Sequence, residues 1–254
     1  MNYKHQTTDF HAIMMYSRPY KERDLLVKYF TEEFGIKMFL MRGAKKPNFK
    51  MRAALLPFAD GWFSGSVSGN GLSYLNNIKE VHQYSNVNAD IVLNAYVTYL
   101  VSLLDAAFAE GQVQPSWFAR LQLAIKMIDS GADVEIITNI MEIQLLTEFG
   151  VAPNWRDCSV CHRTDLAFDF SEEYGGLLCQ NHWSLDPYRL HLDQRTIYYL
   201  RLFSVVQLSQ INTIDVNEQT KKAIRRTIDK IYENSVGIVP KSKHFLDQID
   251  QLKF

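Results

Sequence analysis

All three cysteines of the chain lie between residues 158 and 182, in a stretch that opens C-S-V-C-H and closes G-G-L-L-C-Q-N-H. Cys158 and Cys161 form a CxxC pair. Cys179 and His182 form a CxxH pair after seventeen intervening residues. Each pair is a tight knuckle that aims two donors at one point, and four soft or borderline donors around one ion are the set a tetrahedral zinc site requires. Four protein ligands leave no position open for water, so the spacing predicts a structural zinc rather than a catalytic one. His162, beside Cys161, is an alternative fourth ligand; His182 is preferred because His162 adjoins a ligand already placed. The plain alternative is three isolated buried thiols and a surface histidine. Between the knuckles Phe168 and Phe170 alternate with polar neighbours and Gly175-Gly176 follows, a pattern that predicts a short hairpin pinned by the metal.

A second chemistry-bearing pattern is electrostatic. No acidic residue occurs between Glu33 and Asp60, and within that gap lie Lys37, Arg42, Lys45, Lys46, Lys50 and Arg52, interleaved with Phe39 and Phe49. Arg18, Lys21 and Arg23 sit just upstream. Cations along a groove release counterions from phosphates, and aromatic rings stack on any base, so the pattern suits single-stranded nucleic acid. The bland reading is a solvated turn whose lysines keep the protein soluble. Lys221, Lys222, Arg225, Arg226 and Lys230 form a second basic cluster, with Lys222, Arg225 and Arg226 expected to point away from an Ile224/Ile228 stripe. Enzyme signatures are missing. There is no GxxxxGK[ST] loop, Val67 stands where the nucleophile of a GxSxG elbow belongs, and the HxE…PCxxC pattern of deaminases is absent. Binding is therefore expected, not catalysis.

These residues need elements to hold them. Apolar and β-branched clusters near 10–17, 24–30, 36–41, 53–67 and 72–83, separated by turn residues, predict five strands, the size of a small Greek-key barrel of the OB type. From residue 86 the period becomes helical. Helices are expected over Ala89–Ala109, from Pro115 to about Ile128, from Asp133 to Gly150, from Asp193 to about Gln207, over about Val216–Tyr232 and near Lys243–Leu252. The fold class is thus α+β: an OB barrel over 1–83, then a helical domain over 84–254 with a zinc-binding insert at 155–185.

Net charge is only −1, but it is segregated. Residues 1–82 hold twelve Lys/Arg against seven Asp/Glu, residues 83–150 hold two against eight, and the remainder balances. The positive end is where a polyanion partner is expected. Cysteines in metal spacing point to a reducing cytoplasm. The N-terminus lacks the apolar core of a signal peptide, and the apolar run Ile91–Ala109 carries Asn94 and Asp105 without a basic flank, so no membrane span is expected.

Several stretches, taken in order, resemble one family. Ser17-Arg18-Pro19-Tyr20, Phe30-Thr31-Glu32-Glu33-Phe34-Gly35, Arg42-Gly43-Ala44-Lys45-Lys46 and Leu56-Pro57-Phe58 are similar to the N-terminal barrel of the RecO recombination mediators. Gly150-Val151-Ala152-Pro153, Gly175-Gly176-Leu177-Leu178-Cys179 and Asp186-Pro187-Tyr188-Arg189 resemble its metal-bearing members, and Lys241-Ser242-Lys243-His244-Phe245-Leu246 is similar to the family's terminal K-S-R-x-F-L segment. The resemblance implies an OB barrel, a helical domain and a zinc site usually made of four cysteines, where His182 here replaces the fourth. It also implies binding of single- and double-stranded DNA, annealing of complementary strands, and work with RecR to load RecA on DNA coated by single-strand-binding protein (SSB). No nucleotide hydrolysis is implied, and the expected location is cytoplasmic, at the nucleoid. On this basis Arg18, Lys37, Arg42, Lys45, Lys46, Lys50 and Arg52 are the expected DNA contacts, extended by Arg225 and Arg226. Arg120 and Lys126 are candidates to receive the acidic SSB tail. The competing functions are a zinc-bearing nucleic-acid-binding regulator and a protein adaptor without annealing activity.

Overall fold

The computed structural model describes residues 7–69, 71–211 and 214–251. The first five strands, β1 (Thr7–Tyr20), β2 (Asp24–Thr31), β3 (Gly35–Met41), β4 (Asp60–Ser66) and β5 (Tyr74–His82), lie in the order β3-β2-β1-β4-β5. The two outer strands meet. Leu40 N donates to Ser73 O at 2.8 Å and Ser73 N to Met38 O at 2.9 Å, around a parallel bridge between Phe39 and Ser73. Closing the sheet this way removes its free edges and makes the OB barrel expected from the strand spacing.

Alternation along the strands turns Phe10, Val27, Tyr29, Phe39 and Phe63 inward, where each is fully buried. One expected strand is shorter than its apolar run. Residues 53–55 belong to a 3-10 turn, Arg52–Leu55, that packs on β1 and β5 and accepts a 2.6 Å hydrogen bond from Tyr29 Oη at Ala54 O. Its apolar side chains complete the core without pairing. Where β5 crosses β4 the backbones come too close for a side chain. A Cβ on Gly61 would stand 2.1 Å from Glu80 O, and one on Gly65 2.3 Å from Tyr74 O.

Two compact units are distinguishable, the first comprising the residues up to Gly131 with those from Phe245 on, the second Ala132–His244. The change from strands to helices falls at 82–85. The first unit therefore holds the barrel together with α1 (Ser85–Ala89), α2 (Ile91–Ala107) and α3 (Pro115–Asp129). Asp90 caps α2 by accepting from the amides of Val92 and Leu93, and Asp129 at the end of α3 accepts from the amides of Asn86 and Val87. Phe118 of α3 lies edge-on to Phe30 (5.6 Å) and to His11 (4.9 Å), and an ion pair between Lys28 and Asp105 joins β2 to α2.

The second unit contains α4 (Val134–Leu145), β6 (Asn154–Cys158), β7 (Phe168–Ser171), β8 (Gly176–Cys179), α5 (Gln194–Val205) and α6 (Glu218–Ile231). Asp133, Asp193 and Asn217 cap its three helices. β7 and β8 are the hairpin predicted between the knuckles, and β6 joins β8 in parallel. The last helix, α7, runs Lys241–Gln251; its expected end at Leu252 lies outside the described residues. Among the described residues no helix is long and apolar enough to cross a membrane.

Candidate metal centre and nucleic-acid surface

The end of β6 with the turn after it, and the end of β8 with the turn after that, bring four donors together. Sγ of Cys158, Cys161 and Cys179 and a ring nitrogen of His182 all lie within 4.8 Å of one another. Cys161 Sγ and Cys179 Sγ are 3.7 Å apart, and His182 Nδ1 is 3.5 Å from Cys158 Sγ and 3.3 Å from Cys179 Sγ. Metal bonds of about 2.3 Å to sulfur and about 2.0–2.1 Å to nitrogen would set tetrahedral neighbours roughly 3.6–3.8 Å apart. The 3.7, 3.5 and 3.3 Å separations fall within a few tenths of an ångström of that spacing, with His182 presenting Nδ1, and all four donors are close enough for one ion to draw together. His162 is directed elsewhere, its Nδ1 3.4 Å from Asp157 Oδ1. Burial pushes the Cys158 thiol up, but the amides of Cys179, Cys161 and Val160, with His182, outweigh it and hold the thiol at about 6. A thiol so lowered is largely thiolate at neutral pH, the form that binds a metal.

On the barrel, two loops at one end carry most of the cations. The turn 21–23 lies beside the loop that leaves β3: Lys45 N donates to Arg23 O at 3.1 Å, Lys45 Nζ to Lys21 O at 3.4 Å, and Gly43 N to Asp24 Oδ1 at 2.8 Å. Lys21, Arg23, Arg42, Lys45 and Lys46 are exposed there, with Glu22 as the exposed acid of the same turn. The Arg42 guanidinium lies over the Tyr74 ring at 5.2 Å. Arg18, Lys50 and Arg52 are also exposed, though Arg52 donates to Pro47 O in its own loop.

Lys37 departs from this group. It is 6% exposed and its Nζ donates to Gly69 O at 3.1 Å, so its charge points into the protein. Phe39 and Phe49, expected as stacking rings, serve the barrel core instead, the first fully buried and the second packed against it. On the barrel strands, Trp62 and Tyr16 are half-exposed rings.

The α6 cluster divides in the same way. Arg225 pairs with Glu142 on α4, a carboxylate with no solvent exposure, and with Asp229 at 2.8 Å; it also donates to Asn139 Oδ1 at 3.2 Å. Its position beside the Ile224/Ile228 stripe turns it toward α4 rather than to water. Lys221 is drawn to Asp133 and Glu218, and Lys230 to Glu172. Lys222 and Arg226 are exposed. Of the two residues in the acidic region, Arg120 lies over the Trp117 ring at 4.8 Å and Lys126 borders a cavity beside Trp62.

A buried polar group links β1, β4 and α3. Asp60 accepts from His11 Nε2 (2.8 Å), Tyr84 Oη (2.7 Å) and Gln122 Nε2 (2.9 Å). The hydrogen bond to Asp60 raises the His11 pKa against the opposing effect of burial, with Glu32 3.5 Å from Nδ1 adding to the rise. Burial works to raise the Asp60 carboxyl, but its hydrogen bonds from His11, Gln122 and Tyr84 leave it lowered on balance.

Comparison with known proteins places these features in a lineage. The family described as "Recombination protein O N terminal" matches residues 5–84, and "Recombination protein O C terminal" matches residues 88–244. The protein named "DNA repair protein RecO" of Levilactobacillus brevis is 55% identical over 95% of this chain and 93% of its own length. Proteins of the same name from Latilactobacillus sakei and Limosilactobacillus reuteri are each 48% identical, covering 97% and 96% of this chain and 90% and 94% of their own.

Proposed function

Because the chain belongs to the RecO family, we propose that it is a DNA repair and recombination mediator, a binding protein and not an enzyme. It binds single- and double-stranded DNA, anneals complementary strands, and helps RecR load RecA on SSB-coated single strands in the cytoplasm, at the nucleoid. The observation that carries this reading is the gathering of Lys21, Arg23, Arg42, Lys45 and Lys46 on two loops joined by the 3.1 Å bond from Lys45 N to Arg23 O. Annealing needs two polyanions to approach, and a cationic surface that displaces counterions lowers that barrier without reading bases. Arg18, Lys50 and Arg52 widen the surface on the first unit; Arg226, exposed on α6 of the second unit, is a separate candidate contact, whereas Lys37 and Arg225 are left out because their charges are engaged inside the protein.

The metal is zinc, held by Cys158, Cys161, Cys179 and His182. Its role is to lock the β7–β8 hairpin to the knuckle at the end of β6. The acidic, Phe-ended tail of SSB enters an apolar groove of about 760 Å³ in the second unit, bordered by Ile143, Pro153, Tyr198, Leu202 and Val205. Arg156 stands at its edge, 87% exposed; its Nε donates to Asp157 Oδ2 at 3.0 Å, and its outer guanidinium nitrogens are suited to a terminal carboxylate.

The test is the salt dependence of oligo-dT affinity. Each phosphate contact on a single strand contributes about 0.7 to the slope of log affinity against log salt, so Lys45→Ala/Lys46→Ala is expected to flatten it by about 1.4. An unchanged slope removes both lysines from the DNA surface, and absence of binding by the wild-type protein refutes the whole reading.

A further inference from the structure

The outer face of β4 and β5 and the side of α3 border an open cavity of about 520 Å³ within the first unit. Gly61, Trp62, Glu80, His82, Gln122 and Lys126 border it. We propose that this cavity receives one unstacked nucleobase of a bound single strand, with Trp62 as its stacking surface. The inference rests on the nucleic-acid reading above and adds to it a place where a base, not only the phosphate chain, is held.

Trp62 is 41% exposed, whereas Trp117 and Trp155 are 3% and 6% exposed, so a large apolar ring is kept at the surface here while others are buried. Nor is the ring loose. Strand register sets His11, Trp62 and Glu80 side by side across β1, β4 and β5. The His11 ring lies flat against the indole, centroids 5.1 Å apart and planes within 12°. His11 is in turn fixed by Asp60 at 2.8 Å. One face of the indole is therefore backed by a ring that is itself anchored, which reduces the ordering cost of stacking a guest on the other.

The polar groups around the opening decide the class of guest. Glu80 and the Gln122 amide oxygen accept, the Gln122 nitrogen being held by Asp60, Lys126 donates, and His82 can do either. An anion entering would meet Glu80, and a cation would meet Lys126. A neutral heteroaromatic whose edge alternates donors and acceptors satisfies all of them, and a volume of this size accommodates a nucleoside. The position also connects with the cationic loops. Trp62 and Ser66 lie on the same side of β4, four residues or about 13 Å apart. Ser66 pairs with Tyr74, over which Arg42 lies. A strand held at Arg42 reaches Trp62 well within the roughly 4–16 nucleotides that one OB fold tracks. The carboxylates of Glu32 and Glu80 keep phosphates on the Arg42 side and admit the uncharged base.

The experiment uses the full chain, oligo-dT, and an abasic deoxyribose-phosphate strand of equal length. Oligo-dT is expected to quench tryptophan emission of the wild-type protein. In Trp62→Leu the quenching should be mostly lost and oligo-dT affinity should fall about 5- to 100-fold. Affinity for the abasic strand should be equal in the two proteins. Trp62→Phe, which keeps a ring, should recover part of the oligo-dT affinity, and serves as the readout if Trp62→Leu fails to fold. Equal oligo-dT affinity and equal quenching in wild type and both variants would overturn the base pocket while leaving the DNA reading standing. Failure of the wild type to bind either strand would overturn both.

Discussion

Arg225 offers a sharp separation between a structural and a DNA-binding role. Its guanidinium meets the fully buried Glu142 carboxylate with both terminal nitrogens, and Asp229 completes its partners on α6. Truncation to alanine leaves a charge buried without its main counter-ion, and breaking such a pair costs about 3–5 kcal/mol. Because the Arg225 side chain is 26% exposed, water can reach the vacated space, and the lower end, about 3 kcal/mol, applies. For a unit of this size that is a fall in Tm of about 10 °C. Replacing both partners by uncharged residues, Arg225→Met with Glu142→Gln, removes the unpaired charge and should restore more than half of the loss. Differential scanning fluorimetry of the wild type, Arg225→Met, Glu142→Gln and the double variant reads the cycle directly, with Arg225→Ala measured beside them. Oligo-dT affinity and its salt slope, measured on the same proteins below their melting range, should not change. If Arg225→Ala melts with the wild type and instead flattens the salt slope by about 0.7, the ion pair is dispensable and Arg225 belongs to the DNA track after all.

Two other perturbations give outcomes of known sign. Chelation of the metal, or Cys179→Ser, should lower the Tm of the second unit, while oligo-dT affinity stays within about twofold, since the cationic loops belong to the first unit. Loss of DNA binding with the metal would place the nucleic-acid contact in the knuckles. For His11, a folded pKa raised above the unfolded value contributes stability that is fully present below about 6.5 and is lost as pH rises through the folded pKa. The stability difference between wild type and His11→Gln should therefore be largest in mildly acidic solution and shrink toward alkaline pH; a difference that grows with pH contradicts the Asp60 pairing.

Legibility followed the reach of each determinant along the chain. The metal knuckles were readable because donor identity and CxxC spacing are local facts, and two helix starts were readable because Asp133 and Asp193 cap with their own side chains, whereas the helix expected from Ala89 begins after the cap Asp90. The barrel's closure rests on Phe39 meeting Ser73, a pairing that no local period announces. Lys37 read as a surface cation because its neighbours carry charge, yet β3 is enclosed on both sides and the lysine finds a backbone oxygen at Gly69. Arg225 was misplaced for a similar reason. Its partner Glu142 is 83 residues away, on another helix. Trp62 gave no signal, since its meaning depends on register with His11 and Glu80 across three strands.

The pinning of Lys45 to Arg23 and of Gly43 to Asp24 sets how the cationic end handles a long polymer. The peptide chain beneath the charges is already ordered before any ligand arrives, so only supple lysine and arginine stems have to settle. Contacts of that kind form and break one at a time. On the proposed function, a strand would slide or pass to a partner without the loops unfolding, which favours fast exchange over a permanent grip.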